Sequence, residues 1–462
     1  MNFIKTTLDY DSMTTTKYKL NKEIENGSIS DILSECQLPL FPLKKVDSKN
    51  KLRVLSLFSG CGGMDIGFEG GFICHRKSVN PQNDWIEESV NTNWVKLKDT
   101  NFITVFANDI LEEAKATWSS YMCKRGHSSD SYHLESIVDI VKRHQCGFNV
   151  FPDNIDVVTG GFPCQDFSVA GKRKGFNSNK DHNGKKRIEN TPSEETRGKL
   201  YFWMKQVIDI TKPKIFIAEN VKGLVNLGDV KTIIQQDFAS ADNNGYIVLT
   251  PQILHAADFG VPESRERVIF IGIRKDALRP EAVKALESEI VSPEYNPYPT
   301  PTHAYNNEYE GLSKPVVCED IFQGLPEPDF SSDLSQKYYS KAKYMGTHCQ
   351  GQKEISLNKI GPTIRSEHHG NIEFRRLSLE HGGTIENELS AGLPERRLTP
   401  RECALIQTFP PDYPFVRYKP CSKSKFSVSS SDAYKVIGNA VPPILAYNIA
   451  MRIQTLWNLY FK

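Results

Sequence analysis

Five short apolar runs, each ending on small or polar residues, constrain this chain more than any other feature. They are residues 53–58 (RVLSLF), 103–107, 155–159, 215–218 and 268–273, with helix-like stretches such as 111–122 and 200–210 between several of them. A short run that stays apolar on successive residues suits a strand buried on both faces, as in a parallel sheet. Strands alternating with helices predict an α/β fold built on a doubly wound sheet. Ligands of such sheets bind beyond the carboxyl ends of the strands, so the residues just after each run are the functional candidates.

The rest of the chain frames that unit. Its 462 residues suggest two or three domains. Hydrophobic residues at 39% and charged residues at 24% exclude wholesale disorder. No apolar run reaches the length of a transmembrane helix, and the first residues carry Asp9 and Asp11 without an apolar core, so neither a membrane span nor a secretory signal is expected. None of the ten cysteines forms a CxxC pair, which argues against a disulfide scaffold or a zinc ribbon and points to a reducing cytoplasm. Residues 1–50 read as a polar N-terminal extension, helix-like only over 17–36. Residues 51–274 carry the strand–helix rhythm. From 275 to 433 that rhythm is lost in a stretch rich in Pro, Ser, His and Tyr, expected to be a second, irregular domain. Residues 434–462 close the chain with Gly-Asn and Pro-Pro turns leading into an amphipathic helix. A net charge of +1 does not announce a nucleic-acid partner, but residues 172–187 concentrate seven Lys/Arg, and a local patch matters more than the sum.

The strand ends carry a consistent set of chemical groups. Phe58 opens a glycine-rich turn through Gly60, Gly62 and Gly63, where a ligand can approach the backbone at a helix start; a tight turn without ligand fits the same residues. Asp109, after the second run, is placed either for a ribose diol or as a helix N-cap. Gly160, Gly161 and Pro163 bend the chain and present Cys164 on a loop. There it can act as an exposed nucleophile, with the basic stretch downstream favouring the thiolate; a small apolar packing residue and a solvated charge run fit the same residues. Glu219 follows the fourth run, where partial desolvation can raise a carboxyl toward general-acid use; a structural carboxylate at a strand end fits the same residue. Arg265 and Arg267 precede the fifth run with fork donors for a base carbonyl or a phosphate.

In this order, Phe58-x-Gly-x-Gly-Gly, Pro163-Cys164-Gln165, Glu219-Asn220-Val221, Arg265-x-Arg267, the segment from Arg397 to Cys403 (RLTPREC) and Gly438-Asn439-Ala440-Val441-Pro442 resemble the cytosine-C5 DNA methyltransferases of bacterial type II restriction–modification systems. The resemblance runs from Leu52 to about Ile453, excluding most of 275–395. It implies a Rossmann-like domain for S-adenosyl-L-methionine and a smaller target-recognition domain, with no metal. It also implies a flipped cytosine as substrate within a short double-stranded DNA sequence, a restriction endonuclease as functional partner, and a monomer. Phe58 would stack on the adenine of the cofactor, Gly60 and Gly62 shape its turn, Asp109 take the ribose hydroxyls and Asp139 the adenine amino group. Ile110, Ile140, Pro163 and Asn439 would complete the cofactor contacts. Cys164 would attack cytosine C6, Glu219 engage N3, and Arg267 and Arg265 face the flipped base. Gln165, Ser168, Lys185, Lys186 and Arg187 would contact DNA beside the nucleophile, and Thr363 and Arg365 within the recognition domain.

Glu263 stands where many members of that family have Gln. About thirty extra residues over 73–102 precede Asp109, and about twenty more follow Cys164. Two other functions are open to the same residues: the same chemistry on tRNA, and a catalytically silent sequence-specific DNA-binding protein. The intact Cys164, Glu219 and Arg267 weigh against the second.

Overall fold

Strand β1 (Leu52–Leu57) sends Val54 into one apolar cluster and Leu55 and Leu57 into another, so both faces of the sheet are covered. In this computed structural model, which describes residues 51–163, 200–226, 229–306, 310–366, 372–422 and 425–461, the sheet continues through seven further strands. They are β2 (Phe102–Asp109), β3 (Tyr132–Leu134), β4 (Val157–Gly161), β5 (Ile215–Val221), β6 (Tyr246–Val248), β7 (Gln252–His255) and β8 (Glu266–Arg274). Their order is β7-β8-β5-β4-β1-β2-β3, with β6 also paired to β8. The pairs from β5 to β3 are parallel, with Val54 opposite Val157 and Leu57 opposite Asn108. β8 runs antiparallel to β5, Ile269 opposite Glu219.

All five expected runs are strands, and the doubly wound α/β architecture is present. Two details differ. The run at 268–273 has the same apolar pattern as its parallel neighbours, yet it is antiparallel, because periodicity reports burial on two faces and not direction. The strands at 132–134, 246–248 and 252–255 are too short or too mixed to stand out as runs.

Helices α1 (Gly63–Glu69) and α2 (Glu112–Met122) cover one face. On the other lie α3 (Ile137–Gln145), α4 (Leu200–Thr211) and α5 (Val230–Ala239), packing Val138, Val141, Met204, Val207 and Phe238 into the second cluster. The extra residues before Asp109 form a three-stranded antiparallel sheet, 73–75 beside 94–97 beside 86–89.

Among the described residues between β8 and residue 429 no element exceeds seven residues, as the loss of rhythm predicted. They include α6 (Pro400–Ile406); the chain then closes with α7 (Ser430–Asn439) and the long α8 (Pro443–Tyr460). The first apolar cluster runs on into this region through Ile364, Leu398, Cys403 and Tyr434, and α8 returns to pack on α1. Buried charge also organises it. Arg396, 5% exposed, donates to both oxygens of Glu402 at 2.9 and 2.8 Å and also reaches Glu327. Arg397 holds the carbonyls of Ala342, Gly351 and Ile372, and Arg401 pairs with Asp333 at 2.7 Å. Thr399 and Glu402 close a capping box with Pro400 at the first helical position, so the 397–403 motif is a helix start that also ties down irregular backbone. Among the described residues no helix is long and apolar enough to cross a membrane.

Candidate active site

The chain leaves β1 through a strained turn. Phe58 has φ 53°, the left-handed region that a bulky side chain occupies only at a cost of order 1–3 kcal/mol, and such strain clusters at ligand sites. Gly60, at φ 54°, donates its N–H to Asp109 Oδ2 at 3.0 Å, while Tyr132 donates its hydroxyl to the Gly60 carbonyl at 2.9 Å. Asp109 Oδ1 accepts the N–H groups of Ile110 at 2.7 Å and Leu111 at 3.1 Å. Burial pushes the Asp109 carboxyl up, opposed by those backbone N–H groups. Asp109 is thus a turn-pinning acceptor. A carboxylate offers about four lone-pair sites and three are used, so capacity remains on Oδ2 for a ligand hydroxyl.

The other glycines of the turn serve packing. A Cβ at Gly62 would lie 2.7 Å from Trp118, and one at Gly63 would lie 2.2 Å from the carbonyl of Val441. Gly62 does not line the cavity described below. Its lack of a side chain lets α2 close on the turn, and Gly63 lets α1 touch the closing turn before α8.

Near the ends of β4 and β5 two of the catalytic candidates, Glu219 and Arg267, meet. Glu219, 7% exposed, accepts from Arg267 Nε at 2.7 Å, and Arg267 donates Nη1 to its neighbour's carbonyl, Glu266 O, at 2.8 Å. Burial raises the Glu219 carboxyl while Arg267 and Arg265 lower it. Gly161 faces this pair: a Cβ there would stand 2.8 Å from Glu219 Oε2. Asn220 donates Nδ2 to the Phe162 carbonyl at 3.0 Å, fixing the backbone just ahead of Pro163. Cys164, Gln165, Ser168, Lys185, Lys186 and Arg187 lie outside the described residues, as do 1–50 and 367–371.

One cavity of about 720 Å³ joins these groups, within the range of small-molecule sites. Phe58, Gly60, Asp109, Ile110, Pro163 and Asn439 line it together with Glu219, Arg267, Thr363 and Arg365. Two buried or apolar features suit a nucleoside-like occupant. Thr159 Oγ1 is buried on the wall with no partner among the described residues, and Ile110 keeps an apolar side chain 42% exposed beside Asp109.

Besides Gly62, three sequence candidates are placed elsewhere. Asp139 and Ile140 sit inside α3 and do not line the cavity; Ser136 and Ile137, at the end of β3 and the start of α3, line it instead. The apolar residues 137, 138, 140 and 141 have helical spacing, and the three-residue strand before them has no run to mark its end. Arg265, 1% exposed, turns away from the cavity and donates to the carbonyls of Ile364, Gly438 and Ala440. Sequence reasoning also missed Gln350, which lines the cavity from an irregular segment with no local signature. Thr363 donates its hydroxyl to Ser264 O, and Arg365 lies 3.4 Å from Glu373.

The family model for C-5 cytosine-specific DNA methylase matches residues 52–455. Among known proteins the chain is 30% identical over 453 residues to the type II methyltransferase M.BsuRI of Bacillus subtilis, covering 96% of this chain and 88% of that one. It is 30% identical over 420 residues to M.BspRI of Lysinibacillus sphaericus, covering 89% and 84%. It is 28% identical over 447 residues to M.HpaII of Haemophilus parainfluenzae, covering 92% and 96%.

Proposed function

The chain belongs to the C-5 cytosine-specific DNA methylase family, and from that premise we propose that it methylates C5 of a cytosine flipped from a short duplex sequence, through a covalent bond from Cys164 to C6. The observation that carries this reading is the buried Glu219–Arg267 pair, 2.7 Å apart on the wall of the cavity that Pro163 also lines. A carboxyl raised by burial can hold a proton for cytosine N3, and the adjacent guanidinium can meet the base carbonyl. Protonating or hydrogen-bonding N3 draws electrons from C6, so the Cys164 sulfur adds there and C5 becomes an enamine carbon. S-adenosylmethionine, when bound, would supply the electrophilic sulfonium methyl for C5 and leave as the neutral thioether S-adenosylhomocysteine. A base then removes the C5 proton, the C6–S bond breaks, and the thiolate is restored.

Phe58, Gly60, Asp109, Ile110, Ser136, Ile137 and Asn439 are the residues that would hold the cofactor. We assign this role to residues 51–274 with 434–462, and sequence reading to 275–433. The relatives are named type II methyltransferases. We extend that to this chain as protection of DNA from an endonuclease of the same specificity, carried out by a monomer. Bisulfite sequencing of DNA from cells expressing the protein tests the function: protected cytosines should fall within one short sequence. Transfer of labelled methyl groups to tRNA and not to duplex DNA would overturn it.

A further inference from the structure

Two buried residues tie together two loops that line the same cavity. Ile364 is fully buried between Thr363 and Arg365, which line the cavity. Its N–H donates to Glu263 Oε1 at 2.8 Å, and its carbonyl accepts from Arg265 Nη1 at 3.2 Å. The other terminal nitrogen, Arg265 Nη2, donates to Gly438 O at 2.8 Å and Ala440 O at 2.7 Å, on either side of the cavity-lining Asn439. Backbone bonds reinforce the junction, from Gly361 N to Pro262 O and from Ser264 N to Gly361 O, both 2.8 Å. Gly438 lies against the 363–366 segment so closely that a Cβ would stand 2.5 Å from the carbonyl carbon of Arg365. Glu263 is 0% exposed and its Oε2 has no partner among the described residues, while its Oε1 holds Ile364 N.

We infer that Glu263 and Arg265 form a clasp coupling DNA binding at the 363–366 segment to cofactor binding at the 438–440 turn. The inference rests on the methyltransferase reading above. A guanidinium fork holds fixed directions to several carbonyls at once, so ordering one loop limits the freedom of the other. A ligand that orders Asn439 thereby lowers the entropic cost when the second ligand orders Thr363 and Arg365. Arg265 and Glu263 act through these loops and are positioning residues.

Coupling is a linkage quantity and must be the same from both sides. Affinity for a duplex carrying the bisulfite-mapped site is measured with and without S-adenosylhomocysteine, and affinity for S-adenosylhomocysteine with and without the duplex. In the natural protein each should tighten the other by at least about five-fold. Arg265→Lys, whose ammonium cannot span three carbonyls, should bring both factors within about two-fold of unity while each ligand still binds alone. Glu263→Gln, which keeps the Oε1 acceptor for Ile364, should retain the coupling. A measurement on the unaltered protein guards against misfolded variants: S-adenosylhomocysteine alone should slow hydrogen exchange in the peptide spanning 361–366. Independent binding in the natural protein, coupling undiminished in a folded Arg265→Lys, or no added protection at 361–366 would each overturn the clasp. A natural protein that binds neither S-adenosylhomocysteine nor DNA would overturn the methyltransferase reading along with it.

Discussion

At the scale of single residues, buried acids do most to set the chemistry and the stability near the site. Asp65, 1% exposed, accepts from Trp118 Nε1 at 2.7 Å. Burial pushes its carboxyl up to about 6, against hydrogen bonds from Ser56 and Trp118 that lower it. A carboxyl raised in the folded state binds its proton more tightly there, so its contribution to stability is complete below the ordinary value near 4. That contribution disappears as pH rises toward about 6. Asp65→Asn keeps an acceptor for Trp118 and removes the buried charge. Relative to the natural protein, its unfolding free energy should gain about 2–3 kcal/mol between pH 4 and pH 7. Urea titrations at the two pH values measure this, and a pH-independent difference would assign the raised pKa elsewhere. The nucleophile is tested by its covalent product. DNA carrying 5-fluorocytosine at the target should trap a denaturation-resistant adduct, because fluorine cannot leave as a proton does. Cys164→Ser should abolish trapping with DNA affinity largely kept, and an adduct surviving in that variant would move the nucleophile to another residue.

At the scale of elements, the glycine-rich turn was legible as a ligand-approach feature, and part of its glycine content turns out to serve helix packing. Gly63 faces the Val441 carbonyl and Gly67 faces Ala446, where a Cβ would stand 2.4 Å from the alanine methyl. This close packing lets α1 lie directly on the closing turn and α8, which brings Asn439 to the cavity. Gly63→Ala should therefore lower stability by about 1–3 kcal/mol through overpacking and weaken S-adenosylhomocysteine binding at the same time. Thermal unfolding and calorimetry check the two effects; reduced stability with affinity intact would separate the turn from the cofactor site. The same scale explains the misplaced Asp139. A strand of three residues has too little periodicity to mark its end, and α3 begins directly after it with strong helical spacing.

At the scale of the whole molecule, binding should separate into positioning and reading. Phosphates carry no sequence information, whereas a fork donor at a base edge does. Neutralising Lys185, Lys186 and Arg187 should weaken binding to all duplexes alike and reduce the salt slope by about 0.9 for each phosphate that the protein no longer neutralises. Arg365→Ala, at the cavity edge beside Glu373, should relax preference at one base position by about 1–3 kcal/mol. Affinities for specific and random duplexes across a salt series decide between them. An altered preference in the Lys/Arg variant with none in Arg365→Ala would remove sequence reading from 275–433.

The local sequence determined which segments are strands buried on both faces, and with them the α/β class and the position of Phe58, Asp109, Pro163 and Glu219 at strand ends. Those features depend on neighbours a few residues apart, where apolar spacing and glycine placement act directly. Tertiary structure decided what depends on distant partners. It made β8 antiparallel and turned Arg265 inward to the carbonyls of Ile364, Gly438 and Ala440 while leaving Arg267 on Glu219. It brought Ser136, Ile137 and Gln350 to the cavity. No local pattern encodes these choices, because each is set by which carbonyl or carboxylate lies across a gap of tens to hundreds of residues, and a buried arginine goes where its donors are satisfied.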